Sequence, residues 1–431
     1  MTTPRADFAR LASPLHNTSG RATPLDDDDP AVLPPRESQL SALCLRRAAL
    51  PVLAMAGLIV GILAAVGTFN PDNNQAVTTG SDALTAPTPS VTLAPTPKPT
   101  PSTKAASPSP TSADGSCPNR GTHLVGNSCV SCPAPKKTFG VFWESQVDCS
   151  SFASSSAAAY VTHIYWSFAL IDAASGTVSS SFQGSDATLK ACLAQTRAKC
   201  IKNYISIGGA TMRQTFVALN STAQIATFAS TAAQVVQKFG FDGVDIDDES
   251  GNLLAAGDWK ANVAPSVVAY LTALKTQLGS LPRAATEPAY QITWDEFPTS
   301  LNPDCNTPTG DFQRCFDPRI AGIVDHVNLM MYNAASSTDY DTYLTTTTPT
   351  LWTKTVNPMQ IILGGCVGPV GTLGGCAFGA APTSTQLSAY ASQGAAQYGG
   401  AMLWTASADM TTNQGATLVA MGKAGGYTNS G

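Results

Sequence analysis

Four carboxylates fall within five positions of FDGVDIDDES (residues 241–250): Asp245, Asp247, Asp248 and Glu249. Like charges repel, so crowding them beside Phe241, Val244 and Ile246 weakens a fold, and a chemical use is the reason to look for. On an extended strand the side chains alternate, which puts Val244, Ile246 and Asp248 on one face and Asp245, Asp247 and Glu249 on the other. Successive members of the acidic face then lie roughly 6.6 Å apart. Away from water at that spacing they do not all ionise cheaply, so at least one should keep its proton toward neutrality. A carboxylic acid held protonated is suited to protonating the leaving oxygen of a glycoside. A calcium loop would place acids similarly. Here, however, Ser250 stands where its turn needs glycine, and the twelfth position from Asp245 is Ala256 rather than Glu. A solvated acidic loop explains Asp248 alone, not the alternating triad. No metal or cofactor is called for.

Positioning such a face needs a strand in a sheet. From residue 137 onward, strand-like runs recur as TFGVFW (138–143), THIYWSFAL (162–170), NYISIGG (203–209), FDGVDID (241–247), YQITW (290–294), DHVNLMMY (325–332), QIILGG (360–365) and GAMLW (400–404). Most are separated by lengths that hold a helix. Residues 222–239 carry Ile225, Phe228, Ala229, Ala232, Val235, Val236 and Phe239 at helical spacing, and Gly240 follows as a stop. The pattern predicts an α/β fold, a (β/α)₈ TIM barrel, with a doubly wound open sheet as the alternative. In a barrel, Val244 and Ile246 face the helices and the acids face the axis. Glu249 then falls at the C-terminal strand end, where such barrels carry their sites.

DGVDIDDE (242–249) resembles the DGxDxDxE signature of glycoside hydrolase family 18, the chitinase family. SIGG (206–209) is similar to that family's SxGG strand, MMYN (330–333) to its sixth-strand Met-x-Tyr-Asp/Asn, and GAMLW (400–404) to its tryptophan-bearing eighth strand. These motifs fall in family order, and the likeness covers about 137–425. It implies substrate-assisted, retaining cleavage of β-1,4 bonds between N-acetylglucosamine units. Glu249 would protonate the glycosidic oxygen, and the sugar's own acetamide carbonyl would attack. Asp247 would hold the acetamide N–H, Asp245 would support Asp247, and Tyr332 would donate to the acetamide carbonyl. Trp404 would floor the cleaved sugar's site, with Asn333 binding nearby. Trp143 and Trp294, at the ends of strands one and five, are candidates for sugar stacking or for rim packing. Trp166 and Met330 read as core, and Ser206, Gly208 and Gly209 as strand-shaping.

Departures from the family pattern are also informative. Asp248 is an extra acid, expected to raise the pKa of Glu249. TWDEFP (293–298) places Trp294, Asp295 and Glu296 where smaller residues are expected. About 35 residues separate strands seven and eight, too few for the α+β insertion that deepens the groove in processive members. A short, open-grooved, endo-acting form is implied. Rival readings are an endo-β-N-acetylglucosaminidase acting on N-glycans and a non-catalytic chitin-binding lectin; the latter usually lacks the glutamate.

The remainder of the 431 residues is organised differently. Residues 1–47 read as a disordered cytoplasmic tail. Residues 48–69 are 22 uncharged, mostly apolar residues behind Arg46 and Arg47, long enough for about 30 Å of hydrocarbon. They predict a single-pass signal anchor with the bulk of the chain extracellular or lumenal; cleavage and secretion is the alternative. Gly57 and Gly61 form a GxxxG, and Cys44 sits beside the span as a palmitoylation candidate or a plain thiol. A Ser/Thr/Pro stalk (70–116), a small Cys-rich module (117–135) and the barrel (136–428) follow. Net charge is −5 with no long basic run, which excludes nucleic acid as an expected partner. Ten of 11 cysteines lie beyond the span, an even set suited to an oxidising compartment. Cys192/Cys200, Cys305/Cys315 and Cys366/Cys376 are near neighbours in sequence, while the pairing of Cys117, Cys129, Cys132 and Cys149 is open. CVSC (129–132) reads as part of a disulfide knot rather than a zinc site. Asn220 and Asn17 head glycosylation sequons, the latter expected to face the cytosol.

Overall fold

The structure is a computed structural model that describes residues 117, 119–180, 185–251, 264–305 and 314–429. The tail, the 48–69 anchor, the stalk, Cys44 and Asn17 lie outside the described residues. Among the described residues no helix is long and apolar enough to cross a membrane.

An antiparallel hairpin comes first, β1 (Thr122–Val125) and β2 (Ser128–Ser131). The barrel strands are β3 (Thr138–Glu144), β4 (His163–Ile171), β6 (Lys202–Gly208), β7 (Gly243–Asp247), β8 (Gln291–Glu296), β9 (His326–Met330), β10 (Ile361–Cys366) and β11 (Gly400–Trp404). Each pairs in parallel with its neighbour, and the β3–β4 and β11–β3 pairings close the ring. All eight expected strands are therefore present, and the open-sheet alternative is excluded by closure. The short β5 (Val178–Ser180) adds to β4 in antiparallel fashion.

Period-two alternation sorts the side chains. Val141, Ile164, Ile205, Val244, Ile246, Ile292, Val327, Leu363 and Leu403 are buried in the layer that the helices cover. Phe142, Tyr165, Tyr204, Met330, Ile362 and Met402 fill the axis. Fully burying one such apolar side chain contributes about 1.5–3 kcal/mol, so a one-residue slip of any strand would lose several of these at once. The helices α1 (Asp186–Arg197), α2 (Arg213–Ala218), α3 (Thr222–Phe239) and α4 (Ala264–Ser280) belong to the outer layer. α3 has the bounds that its periodicity predicts. Ser221 and Gln224 form a capping box at its start, and Gly240 ends it at φ 71°, a left-handed position that glycine takes without strain.

Ten cysteines form five disulfides. Cys305–Cys315 and Cys366–Cys376 follow the sequence expectation, but Cys192–Cys200 does not. Cys192 points from the buried side of α1 to Cys149. Cys200 lies past the helix end at φ 58° and reaches Cys132 instead. Cys117 joins Cys129, so the two cysteines of CVSC have different partners. The Cys132–Cys200 bond ties the small module to the barrel's N-terminal face. There Arg120, 7% exposed, lies 3.4 Å from Asp242 and 3.8 Å from Glu287, with its guanidinium 3.8 Å from the Tyr290 ring centroid. Asp242 and Glu287 precede β7 and β8, so the module caps the end opposite the acidic strand's C-terminus.

Candidate active site

Asp245 stands in a ring of inward-facing residues set by strand register: Ser206 on β6 pairs with it, and it pairs with Thr293 on β8. Both hydroxyls donate to it, Ser206 Oγ at 2.7 Å and Thr293 Oγ1 at 2.5 Å, and Asn328 Nδ2 on β9 adds a third bond at 3.2 Å. Complete burial pushes the Asp245 carboxyl up to about 6 despite these donors. Asp247, two residues on, is 4% exposed, and its Oδ1 is buried without a hydrogen-bond partner among the described residues. Burial first, then the charges of Glu249 and Asp245, hold its carboxyl well above the usual range. Its neighbour across the sheet is Gly208, at φ 125°. A Cβ there would come 2.2 Å from the Asp247 carbonyl oxygen, so only glycine allows the strands to approach at this level.

Glu249 is half-buried at the C-terminal mouth. Burial, with a smaller contribution from the charge of Asp248, raises its carboxyl to about 7, opposed by the charges of Arg314 and Arg213 and by the Ala210 N–H. Arg213 Nε also donates to the Glu249 carbonyl at 2.8 Å, fixing the backbone that carries the acid. Asp247 and Glu249 open into a cleft of about 420 Å³, together with Tyr332, Asn333, Met330 and Trp404. That volume suits a sugar-sized group, and a mainly apolar lining with a few polar groups is usual for such sites. The Tyr332 hydroxyl is held neutral, its pKa raised by burial and then by Asp295, Asp247, Glu249 and Asp245. Asn333 takes the left-handed conformation, φ 56°, and its Oδ1 accepts from the Ala377 N–H at 2.8 Å. Trp404 is half-buried, with its Nε1 donating to Gly375 O at 3.2 Å and its ring stacked on Phe168 at 5.7 Å. Its broad face is thereby fixed.

Two expectations are corrected. Trp143 is 1% exposed on the outward face of β3, donating to Val147 O at 3.0 Å and packing on Phe152 and Trp166. Trp294 is fully buried and donates to Glu296 Oε2 at 3.1 Å. Neither reaches the cleft, because odd positions of β3 and even positions of β8 face the helices. Asp248 faces outward, accepts from Tyr270 Oη at 2.8 Å and lies 3.8 Å from Arg314 Nη1, yet its charge still adds to the raised pKa of Glu249, as the sequence anticipates. Arg314 also pairs with Glu296 at 2.9 Å, so two of the unexpected acids neutralise one buried cation.

Sequence reasoning did not reach Thr293 and Asn328, whose signal was the inward register of their strands. Ser206, expected only to shape β6, hydrogen-bonds the triad directly. The rim aromatics Phe168, Phe297 and Phe378 also line the cleft and carried no motif.

Comparison with known proteins identifies the family. The model of the family Glycosyl hydrolases family 18 matches residues 139–364, more than half of the chain. The chain belongs to glycoside hydrolase family 18. A stretch of 95 residues, 21% of the chain, is 37% identical to Exochitinase 1 of Streptomyces olivaceoviridis, but it spans only 15% of that protein. Among solved structures, the chain is similar to a family 18 chitinase from Cycas revoluta in complex with allosamidin. That match has 15% identity and a TM-score of 0.49, covering 67% of this chain and 99% of that one. The class V chitinase from Nicotiana tobaccum gives 12% identity and a TM-score of 0.49 at the same coverage.

Proposed function

We propose that the chain is an endo-acting chitinase, hydrolysing β-1,4 bonds between N-acetylglucosamine units with retention and with the substrate's acetamide as nucleophile. The observation that carries this reading is the stacking of Asp245, Asp247 and Glu249 on one inward face, rising into a cleft that also presents Tyr332 and Trp404. Glu249, raised to about 7, is the general acid for the glycosidic oxygen. Asp247 accepts the acetamide N–H and offsets the positive charge of the oxazolinium ion, while Tyr332 donates to the acetamide carbonyl. Asp245, held by three donors, supports Asp247. Trp404 offers its face to the apolar side of the cleaved sugar, and Asn333 lies at the same rim. The C1–O bond breaks as the acetamide oxygen closes on C1 and the Glu249 proton leaves with the departing sugar; water then attacks C1 as the C1–O bond of the oxazolinium breaks, and gives its proton to Glu249.

An open groove fits the short β10–β11 connection, which holds the Cys366–Cys376 loop and the helix Ser384–Gln397. A membrane anchor at 48–69 and an extracellular or lumenal barrel remain part of the proposal, supported by the five disulfides. The test is a digest of soluble chitin oligomers followed by proton NMR. The first product should carry the β-anomer; an α-anomer first would exclude substrate-assisted retention. Release of glycan from a high-mannose glycoprotein, with chitin oligomers untouched, would move the substrate to N-glycans.

A further inference from the structure

A fourth carboxylate joins the set from β8. Asp295 is 1% exposed and pairs in register with Asn328, whose Nδ2 donates both to Asp295 Oδ1 at 2.9 Å and to Asp245 Oδ1 at 3.2 Å. Asp295 is also in hydrogen-bond contact with Asp245 itself. Two touching carboxylates need a proton between them, and the surrounding donors decide which of them holds it. Asp245 receives Ser206, Thr293 and Asn328. Asp295 receives Asn328 alone among the described side chains. The anion is therefore better placed on Asp245 and the proton on Asp295.

The charged and titratable groups facing Asp295 agree with this assignment. Asp245 and Asp247 come from β7, with Glu249 just beyond. Tyr332 follows β9, and Tyr165 stands on β4, its pKa raised by burial, then Asp245 and Asp295. Arg314 binds the Asp295 carbonyl at 3.3 Å but pairs its charge with the outward Glu296 and Asp248. Burial and the charges of Asp245 and Asp247 hold the Asp295 carboxyl well above the usual range, whereas Asp245 rises only to about 6.

We propose that Asp295 is a positioning residue for the reaction, held as the neutral carboxylic acid and donating its O–H to Asp245. Asp245 is thus kept anionic, an acceptor for the proton that Asp247 gives up when it offsets the oxazolinium charge beneath the acetamide. The inference rests on the functional reading above. Nothing in the motif set predicts it, since Asp295 lies outside the cleft lining and acts through Asp245.

The test measures kcat, KM and pH profiles of the 431-residue chain on chitin oligomers, with Asp295→Asn and Asp295→Ala beside the wild type. Asparagine keeps an N–H donor toward Asp245 and should hold kcat within about threefold, with the acid limb unmoved. Alanine removes the donor and should lower kcat by about tenfold or more at little-changed KM. It should also move the acid limb to higher pH, because an anion that loses a donor has a raised pKa. Asp295→Leu gives the same contrast if the alanine variant does not fold. An asparagine variant as impaired as the alanine one, or an alanine variant with unmoved limbs, overturns the proposal. Wild-type protein that binds but never cleaves the oligomers overturns the hydrolase reading first, and this inference with it.

Discussion

Tyr270 Oη donates to Asp248 Oδ2 at 2.8 Å, which turns the extra acid of the motif away from the cleft that its neighbour Glu249 lines. The bond anchors the end of β7 to α4. Arg314 beside it is buried, with Asp248 and Glu296 as its two acids.

Asp248→Asn is accordingly expected to act on stability. Breaking one partner of a buried charge pair costs about 3 kcal/mol, readable as a lower urea midpoint. Activity should change less. The lost anion and the less compensated Arg314 both favour ionised Glu249, so the alkaline limb should move to lower pH, by less than about one unit. An unmoved alkaline limb would show that Asp248 does not tune the acid.

Glu249 at about 7 and Asp245 at about 6 set the pH behaviour. An acid catalyst works protonated, so hydrolysis should fall as pH rises through about 7. Stability follows the same sign. These groups bind protons more tightly folded than unfolded, so their contribution is present below the unfolded value near 4 and is lost as pH rises through 6 to 7. The urea midpoint should therefore drop between pH 5 and pH 8, and Asp247→Asn should flatten that slope. A midpoint that rises across the window in the wild type contradicts the assignment.

The tryptophans should separate binding from folding. Trp404→Ala removes the stacked face in the cleft and should raise KM or lower kcat by about tenfold or more, with little change in thermal stability. Trp143→Ala empties the helix-facing layer and should cost about 3–5 kcal/mol, while the folded fraction keeps the wild-type KM. A raised KM for Trp143→Ala would contradict its placement beneath the helices.

How far the sequence could be read depended on distance along the chain. The acids of 245–249 declared their own faces, because alternation with Val244 and Ile246 is local. The span of α3 was equally local, bounded by Ser221 and Gly240. Residues that meet across strands were not legible in this way: Thr293 and Asn328 reach Asp245 only once the register of β7, β8 and β9 is known. The same limit applies to Cys200, nearest in sequence to Cys192 but joined to Cys132. Trp143 and Trp294 sit at strand ends as expected. Only the inward or outward sense of those positions shows that they pack beneath helices.

The most direct measurement compares wild-type chain and Glu249→Gln on soluble chitin oligomers at pH 6. The account predicts cleavage by the wild type and a loss of about 10²–10⁴-fold in kcat for the variant, which still binds the oligomers. Cleavage by Glu249→Gln at the wild-type rate would contradict it.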